Sequence, residues 1–419
     1  MGAERVEPSA RGAFAAGILT ALAVLLLFGA FLALRVGTPR LASRIRDTVL
    51  AATGPKVQRV LDLPDDVREE LVRAGAVIDN AGRGLVSSSL VGAHDTVLVH
   101  GHPDLGWLPR PGVELEGFVL KARNPVNLDP PVVYLPAAAP VGPVLARFLA
   151  ERARVHYRFT TDADGRRSTV PAVGSERAIL VVGDSVAFGV GVPDGATVAS
   201  ELQRIVGAEL RVVNAGVGGY SGEQALACAD ALSRQRRFEG LVYVTSQNDF
   251  MLDPGERYAE RADRVLAGFA RLRERFSGRV AVLVVSYLEF AARDLLLDEG
   301  WPPDELARTE ELYGALPDLA RRYGVAYVDW RELIGSEARQ SGSIFAAPAL
   351  YADHGHLSPR GAWIAARELH AALAGAGRGL YATAAPAPAE TAYASKRSAV
   401  GEPAAFSSSS ITLPNGSRP

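Results

Sequence analysis

Cys228 is the only cysteine in 419 residues, which excludes an internal disulfide framework and any cysteine-built metal cluster. Lysine is nearly as scarce. Lys56, Lys121 and Lys396 are the only three, and arginine supplies the rest of the 45 basic residues. Set against 47 acidic residues, the formal net charge is −2, so there is no basic excess to meet a polyanion and nucleic acid is not an expected partner. The common nucleotide fingerprints are also missing. No G-K-[ST] phosphate loop occurs, and "GVGVPD" (residues 189 to 194) fails G-x-G-x-x-G at Asp194. "GVGGYS" (216 to 221) fails it at Ser221. A G-x-S-x-G elbow is excluded by Ala187.

One hydrophobic run stands out. Residues 12–34, "GAFAAGILTALAVLLLFGAFLAL", carry no charge over 23 residues and are bracketed by Arg11 and Arg35. A spanning helix needs about 20 apolar residues, whereas the core of a cleaved signal is shorter. The expectation is an uncleaved membrane anchor, preceded by a short N-terminal cap, residues 1–11. Arg35, Arg40, Arg44 and Arg46 follow the span and only Arg5 and Arg11 precede it. Counted alone, these charges favour a cytoplasmic C-terminal part, a rule that weakens beside a long domain.

Residues 35–84 read as a helical connector, because "LPDDVREELVRAGAVI" alternates charge and apolar residues at helical spacing. Over 85–170 short β-type runs separated by Pro, Gly and Asp indicate a small β-rich accessory region. From about 171 to 375 the texture is regular. "AILVVG", "RVVNAG", "GLVYVTS", "RVAVLVVSY" and "VAYVDW" are apolar strands, with helices expected near 196–207, 222–236, 256–276, 304–322 and 360–374. That alternation defines an α/β domain with a five-stranded parallel sheet covered on both faces. Residues 376–419, rich in Ala, Pro and Ser, cannot bury a core and are expected to be a disordered tail.

Ligands of open parallel sheets bind beyond the carboxyl ends of the strands. The first strand delivers Gly183, Asp184 and Ser185 there, the second "NAGVGGYSG", the third "TSQND", and "DHGHLSPRG" follows the fifth. Each piece alone has an ordinary structural reading. A serine after a strand caps helices, a glycine pair makes a turn, and Ser358 with Pro359 can start the last helix. Together they supply what acyl transfer needs. A hydroxyl is a weak nucleophile until an imidazole takes its proton, and a carboxylate must orient that imidazole. An oxyanion further needs preorganised N–H donors. Ser185 is the candidate nucleophile, with the Ser185 and Gly219 backbone and the Asn248 amide as candidate donors.

These blocks resemble the SGNH/GDSL hydrolase family, named for a Ser, a Gly, an Asn and a His in four blocks. Ser185 in "GDSV", Gly219 in "NAGVGGYS" and Asn248 in "SQND" match three of them, and Asp353 and His356 in "DHGH" match its Asp-x-x-His. The resemblance covers roughly residues 176–375 and implies a three-layer α/β/α, flavodoxin-like domain that cleaves acyl esters. It implies a catalytic set of Ser185, Asp353 and His356, an oxyanion hole of Ser185, Gly219 and Asn248, and no metal or other cofactor. Substrates of the family include acyl esters of sugars and lipids. Departures are Val186 for leucine, Ser246 in place of the usual glycine, where it would narrow the pocket beside Asn248, and His354 as a second imidazole beside Asp353. The segments before the domain are similar to those of some bacterial membrane-anchored members. That likeness implies a single-pass protein of a bacterial inner membrane with an extracytoplasmic domain, against the arginine count. An acyltransferase using the same serine, or a noncatalytic tethered binding module, stays open on the same fold.

Overall fold

The computed structural model describes residues 64–79, 98–120, 132–250, 257–287, 303–341, 348–353 and 355–375. The expected span at 12–34, the tail at 376–419 and His354 lie outside these residues. Among the described residues no helix is long and apolar enough to cross a membrane. The chain divides into two compact units, Met1–Arg68 and Glu69–Pro419. Of the first, only residues 64–68 are described, at the start of helix α1 (Asp65–Arg73). The second contains every strand described below.

The accessory region forms an antiparallel sheet from β1 (Val77–Asp79), β4 (Glu114–Leu120), β5 (Val132–Pro136) and β6 (Ala153–Thr160), in the order β1-β5-β4-β6. Strand β1 falls in the stretch expected to be helical connector. It pairs with β5, so the accessory sheet reaches back to residue 77. A separate hairpin joins β2 (Val99–His102) to β3 (Gly106–Pro109). Helix α2 (Pro143–Arg152), which has no counterpart in the sequence reading, leads into β6.

The second sheet is the five-stranded parallel one. Its strands are β7 (Ala178–Gly183), β8 (Arg211–Gly216), β9 (Gly240–Ser246), β10 (Val280–Val285) and β11 (Ala326–Val328). The order β11-β10-β9-β7-β8 puts β7 inside, with its sequence neighbour β8 at one edge. Strand residues alternate between two cores. Leu180 and Val182 of β7 face one side with Tyr243, Val282 and Val284, while Ile179 and Val181 face the other with Val242, Val244 and Leu283. The continuous apolar runs in the sequence follow from this two-sided burial.

Helices α5 (Gly222–Gln235), α6 (Tyr258–Leu272) and α7 (Pro303–Tyr323) supply buried residues to the first core. Helices α4 (Val198–Val206), α8 (Trp330–Ser341) and α9 (Pro359–Gly375) supply them to the second. The result is three layers, as the alternating pattern implied. Helix α8 was not anticipated, although Trp330, Leu333 and Ile334 have the i, i+3, i+4 spacing of a buried stripe.

The accessory core is continuous with the start of the α/β domain. Phe188 and Val190, just after β7, are buried among Leu115, Val119, Tyr134, Tyr157 and Phe159. Phe188 and Phe159 meet edge to face with centroids 5.6 Å apart. Burying one such ring stabilises by about 1.5–3 kcal/mol. The fully buried Arg167 guanidinium lies over both rings, 4.6 Å from Phe159 and 5.0 Å from Phe188. Its Nε donates to Asp194 at 2.7 Å, and its other nitrogens donate to the carbonyls of Gly189 and Val192.

Candidate active site

Strand order brings the site together. In the order β9-β7-β8, adjacent parallel strands lie about 4.8 Å apart, so the loops leaving their carboxyl ends share one rim. Ser185 follows β7, Gly219 follows β8 and Asn248 follows β9. From β7 the chain steps to β8 on one side and then crosses back to β9 on the other, so strand order reverses beside β7.

At the end of β7 the chain bends sharply. A Cβ on Gly183, with φ +146°, would lie 1.7 Å from the carbonyl oxygen of Val244, so only glycine allows β7 to pass β9 this closely. Helix α3 (Ser185–Phe188) starts at once, and its cap is Asp184, whose Oδ1 accepts from Val186 N at 2.8 Å. Ser185 is therefore the first helical residue and its half-buried hydroxyl is not spent on capping. The other Asp184 oxygen accepts from Ser246 N at 3.1 Å and from Ser246 Oγ at 2.7 Å. Ser246 is 2% exposed and its hydroxyl turns to Asp184. The Ser246 hydroxyl is thus committed to the buried Asp184 carboxyl. Burial pushes the Asp184 carboxyl up, while Ser246, Val186 and nearby His356 pull it down.

The imidazole arrives on the loop before α9. Ala352 N donates to the His356 carbonyl at 2.8 Å and Ser358 N to that of Leu350 at 2.9 Å, closing a tight turn. Ser358 Oγ accepts from Gly361 N, so Ser358 and Pro359 begin the helix as the sequence implied. Inside the turn, Asp353 Oδ1 accepts from the backbone N–H groups of Gly355 and His356, each at 2.8 Å. Its Oδ2 lies 2.7 Å from His356 Nδ1, and His356 Nε2 lies 2.8 Å from Ser185 Oγ. Asp353 is 1% exposed and His356 8%, which keeps water from competing for these contacts.

The donor side is built from two loops. Val217 N donates to the Gly183 carbonyl at 3.0 Å, and Tyr220 N to that of Val217 at 3.1 Å. These bonds hold the segment around exposed Gly219, φ +78°, against the end of β7. Asn248 falls in a single 3₁₀ turn, Gln247–Phe250, directly after β9, and its side chain lies outside the described residues. The turn is pinned on both sides of it. Gln247 accepts from Tyr287 N at 3.1 Å, and buried Asp249 accepts from the hydroxyls of Tyr243 and Thr245. Nothing in the local sequence marks Asp249 or Asp184 for these contacts, because an acid after a strand is common in turns.

A carboxylate holding a ring N–H, a ring nitrogen facing a hydroxyl, and backbone donors at the same rim can activate an oxygen nucleophile toward a carbonyl. Residues 181–364 match the GDSL-like Lipase/Acylhydrolase family. This domain belongs to that family, the GDSL or SGNH hydrolases, whose members act on ester bonds. No curated protein matches the chain. Among solved structures it is similar to TesA, at 21% identity over 48% of this chain and 99% of that one, with a TM-score of 0.36. A catalytic mutant of an acetylxylan esterase from Geobacillus stearothermophilus is similar at 18% identity, covering 48% and 95% of the two chains, with a TM-score of 0.34. A carbohydrate acetylesterase family member from Sinorhizobium meliloti is similar at 16%, covering 48% and 98%, with a TM-score of 0.35.

Proposed function

We propose that the chain is a serine esterase that cleaves carboxylic acyl esters through a covalent intermediate on Ser185. The observation that carries this reading is the unbroken row from Asp353 through His356 to Ser185 Oγ, at 2.7 and 2.8 Å. The Asp353 carboxylate fixes the proton on Nδ1, so Nε2 is the acceptor. As Ser185 Oγ attacks the ester carbonyl, its proton passes to Nε2 and the carbonyl oxygen becomes an oxyanion held by the N–H groups of Ser185 and Gly219 and the Asn248 amide. Collapse breaks the bond to the alcohol, which leaves with the proton from Nε2. Water then attacks the acyl-enzyme, gives its proton to the same nitrogen, and releases the carboxylic acid and free Ser185. Each oxyanion donor of this kind contributes on the order of 2.7–4 kcal/mol to the barrier reduction.

The reading extends to a membrane-tethered enzyme with its catalytic domain outside a bacterial inner membrane. Support for the tether is the uncharged stretch 12–34, whose 23 residues as a helix would extend about 35 Å, enough for a hydrocarbon core. A C-terminal alkaline phosphatase fusion, active only outside the cytoplasm, tests the orientation.

The esterase reading is tested on the full chain in detergent with a short-chain aryl ester and a fluorophosphonate probe. Turnover, with the adduct mapped to Ser185 and both lost in Ser185→Ala, is the expected result. Full activity in Ser185→Ala, or a wild type that neither labels nor turns over, overturns it. Acetylated polysaccharide and lysophospholipid, assayed side by side, then separate the carbohydrate and lipid ester classes.

A further inference from the structure

The β2-β3 hairpin lies outside the matched residues 181–364, yet it grips the segment that carries Gly219. Trp107 Nε1 donates to the carbonyl of Gly218 at 3.1 Å. In return, the Tyr220 hydroxyl donates to the Trp107 carbonyl at 2.6 Å, and the two rings pack edge to face with centroids 5.6 Å apart. Gln224, in the first turn of α5, donates through its side-chain amide to the Leu105 carbonyl at 3.1 Å. A Cβ placed on Gly219 would stand 3.5 Å from Trp107 Cζ2, so the indole lies directly against this glycine.

The carbonyl of Gly218 and the N–H of Gly219 belong to one rigid peptide unit. In a trans peptide they point in opposite directions, so fixing the oxygen fixes the N–H. Glycine on both sides removes the steric barrier that elsewhere resists rotation of such a unit, because glycine populates positive and negative φ about equally. A Gly-Gly pair is thus the place in the chain where a donor N–H can most easily turn away. It is also where an external hydrogen bond has the greatest effect.

We infer that Trp107 is a positioning residue for ester hydrolysis: its indole N–H holds the Gly218–Gly219 peptide so that the Gly219 N–H faces the oxyanion. This inference rests on the esterase reading and extends it to a residue from the accessory region. Trp107 does not touch the reacting atoms; it acts through the peptide it orients. The accessory region is, on this account, part of the catalytic apparatus.

Trp107→Phe keeps an aromatic ring and removes the N–H. In the full chain, assayed with a short-chain aryl ester, kcat is expected to fall about 10- to 100-fold with KM within twofold of wild type, short of the loss of a whole donor. Affinity for phenylboronic acid, which forms a tetrahedral adduct with the serine, should fall in the same proportion. A purely structural role would lower the melting temperature and active fraction and leave kcat per labelled Ser185 unchanged. Tyr220→Phe, which releases the other end of the clasp, should lower kcat at least threefold in the same pattern and reads the same effect if Trp107→Phe does not fold. Wild-type kcat per labelled serine in folded Trp107→Phe (or in Tyr220→Phe, should Trp107→Phe not fold), or a loss confined to KM, overturns the inference. A wild type without turnover overturns the esterase reading itself, which separates the two failures.

Discussion

Asp353 accepts the ring N–H of His356 on one carboxylate oxygen and the backbone N–H of that same residue on the other. The second oxygen is shared with Gly355 N–H, so the turn and the imidazole are oriented by a single buried group. The three-residue step from Asp353 to His356 suffices because the turn folds back on its own first side chain.

Asp353→Asn is a sharp probe of this arrangement. Two backbone donors hold the oxygen of the new amide at the Oδ1 position, which leaves its NH₂ facing Nδ1. Nδ1 must then accept, Nε2 carries the proton, and Ser185 loses its base. The expected outcome is a fall in kcat/KM of about 10³–10⁴-fold with an almost unchanged melting temperature. Retention of more than a tenth of the wild-type value would show that the carboxylate does not set the tautomer.

Ser246→Ala addresses the buried Asp184. The variant keeps the backbone donor to Asp184 and deletes the hydroxyl donor, both on Oδ2. Losing a buried hydrogen bond to a charged group costs about 1.5–3 kcal/mol. Urea denaturation should show that loss of stability, and an unchanged midpoint would mean that the contact contributes nothing.

Arg167 ties the accessory region to the segment that follows α3. Its side chain is fully buried and that of Asp194 is 17% exposed, so removing the cation leaves a mostly buried carboxylate without its counter-charge, held only by Thr160 N and Oγ1, and takes a donor from two carbonyls. Arg167→Ala is expected to destabilise the folded unit by about 3–5 kcal/mol. Arg167→Met, which keeps an apolar stem over Phe159 and Phe188, should lose less. Equal losses in the two variants would assign the whole effect to charge and none to packing.

The pH dependence of stability tests Asp249. Burial, reinforced by the Asp184 carboxylate, pushes the Asp249 carboxyl well above its ordinary range, against the Thr245 and Tyr243 hydroxyls that lower it. Between the unfolded value, near about pH 4, and the higher folded one, the native state holds the extra proton. Stability then falls as pH rises through that window, because the unfolded state binds fewer protons. Asp184 is raised in the same direction and adds to the slope. Asp249→Asn should flatten the fall of the melting temperature as pH rises above the ordinary carboxylate range, leaving the Asp184 part. Parallel curves for variant and wild type would show that Asp249 titrates alike in both states.

Much of the fold was legible in residues that bury two faces at once. "AILVVG" and "GLVYVTS" have no polar face, and only a strand between two helical layers uses such a run. That Ser185, Asp353 and His356 meet was legible because the blocks that carry them sit at strand ends of one sheet, and the structure places them within hydrogen-bond distance of one another. Strand β1 was not, since three residues pair with a partner more than fifty positions away. Asp184 and Asp249 were equally opaque, because an acid in a turn looks the same in sequence whether water or a buried hydroxyl satisfies it.

The sequence by itself determined the alternation of strands and helices, the Gly-Asp-Ser turn after β7 and the Asp-x-x-His step, because each rests on local spacing. Only the tertiary structure decided that Asp184, not Ser185, caps α3 and that Ser246 turns inward. It alone brought Trp107 to Gly218, 111 positions away. Contacts of that range depend on how two sheets pack, and periodicity marks which face of an element is buried but not which distant residue it meets.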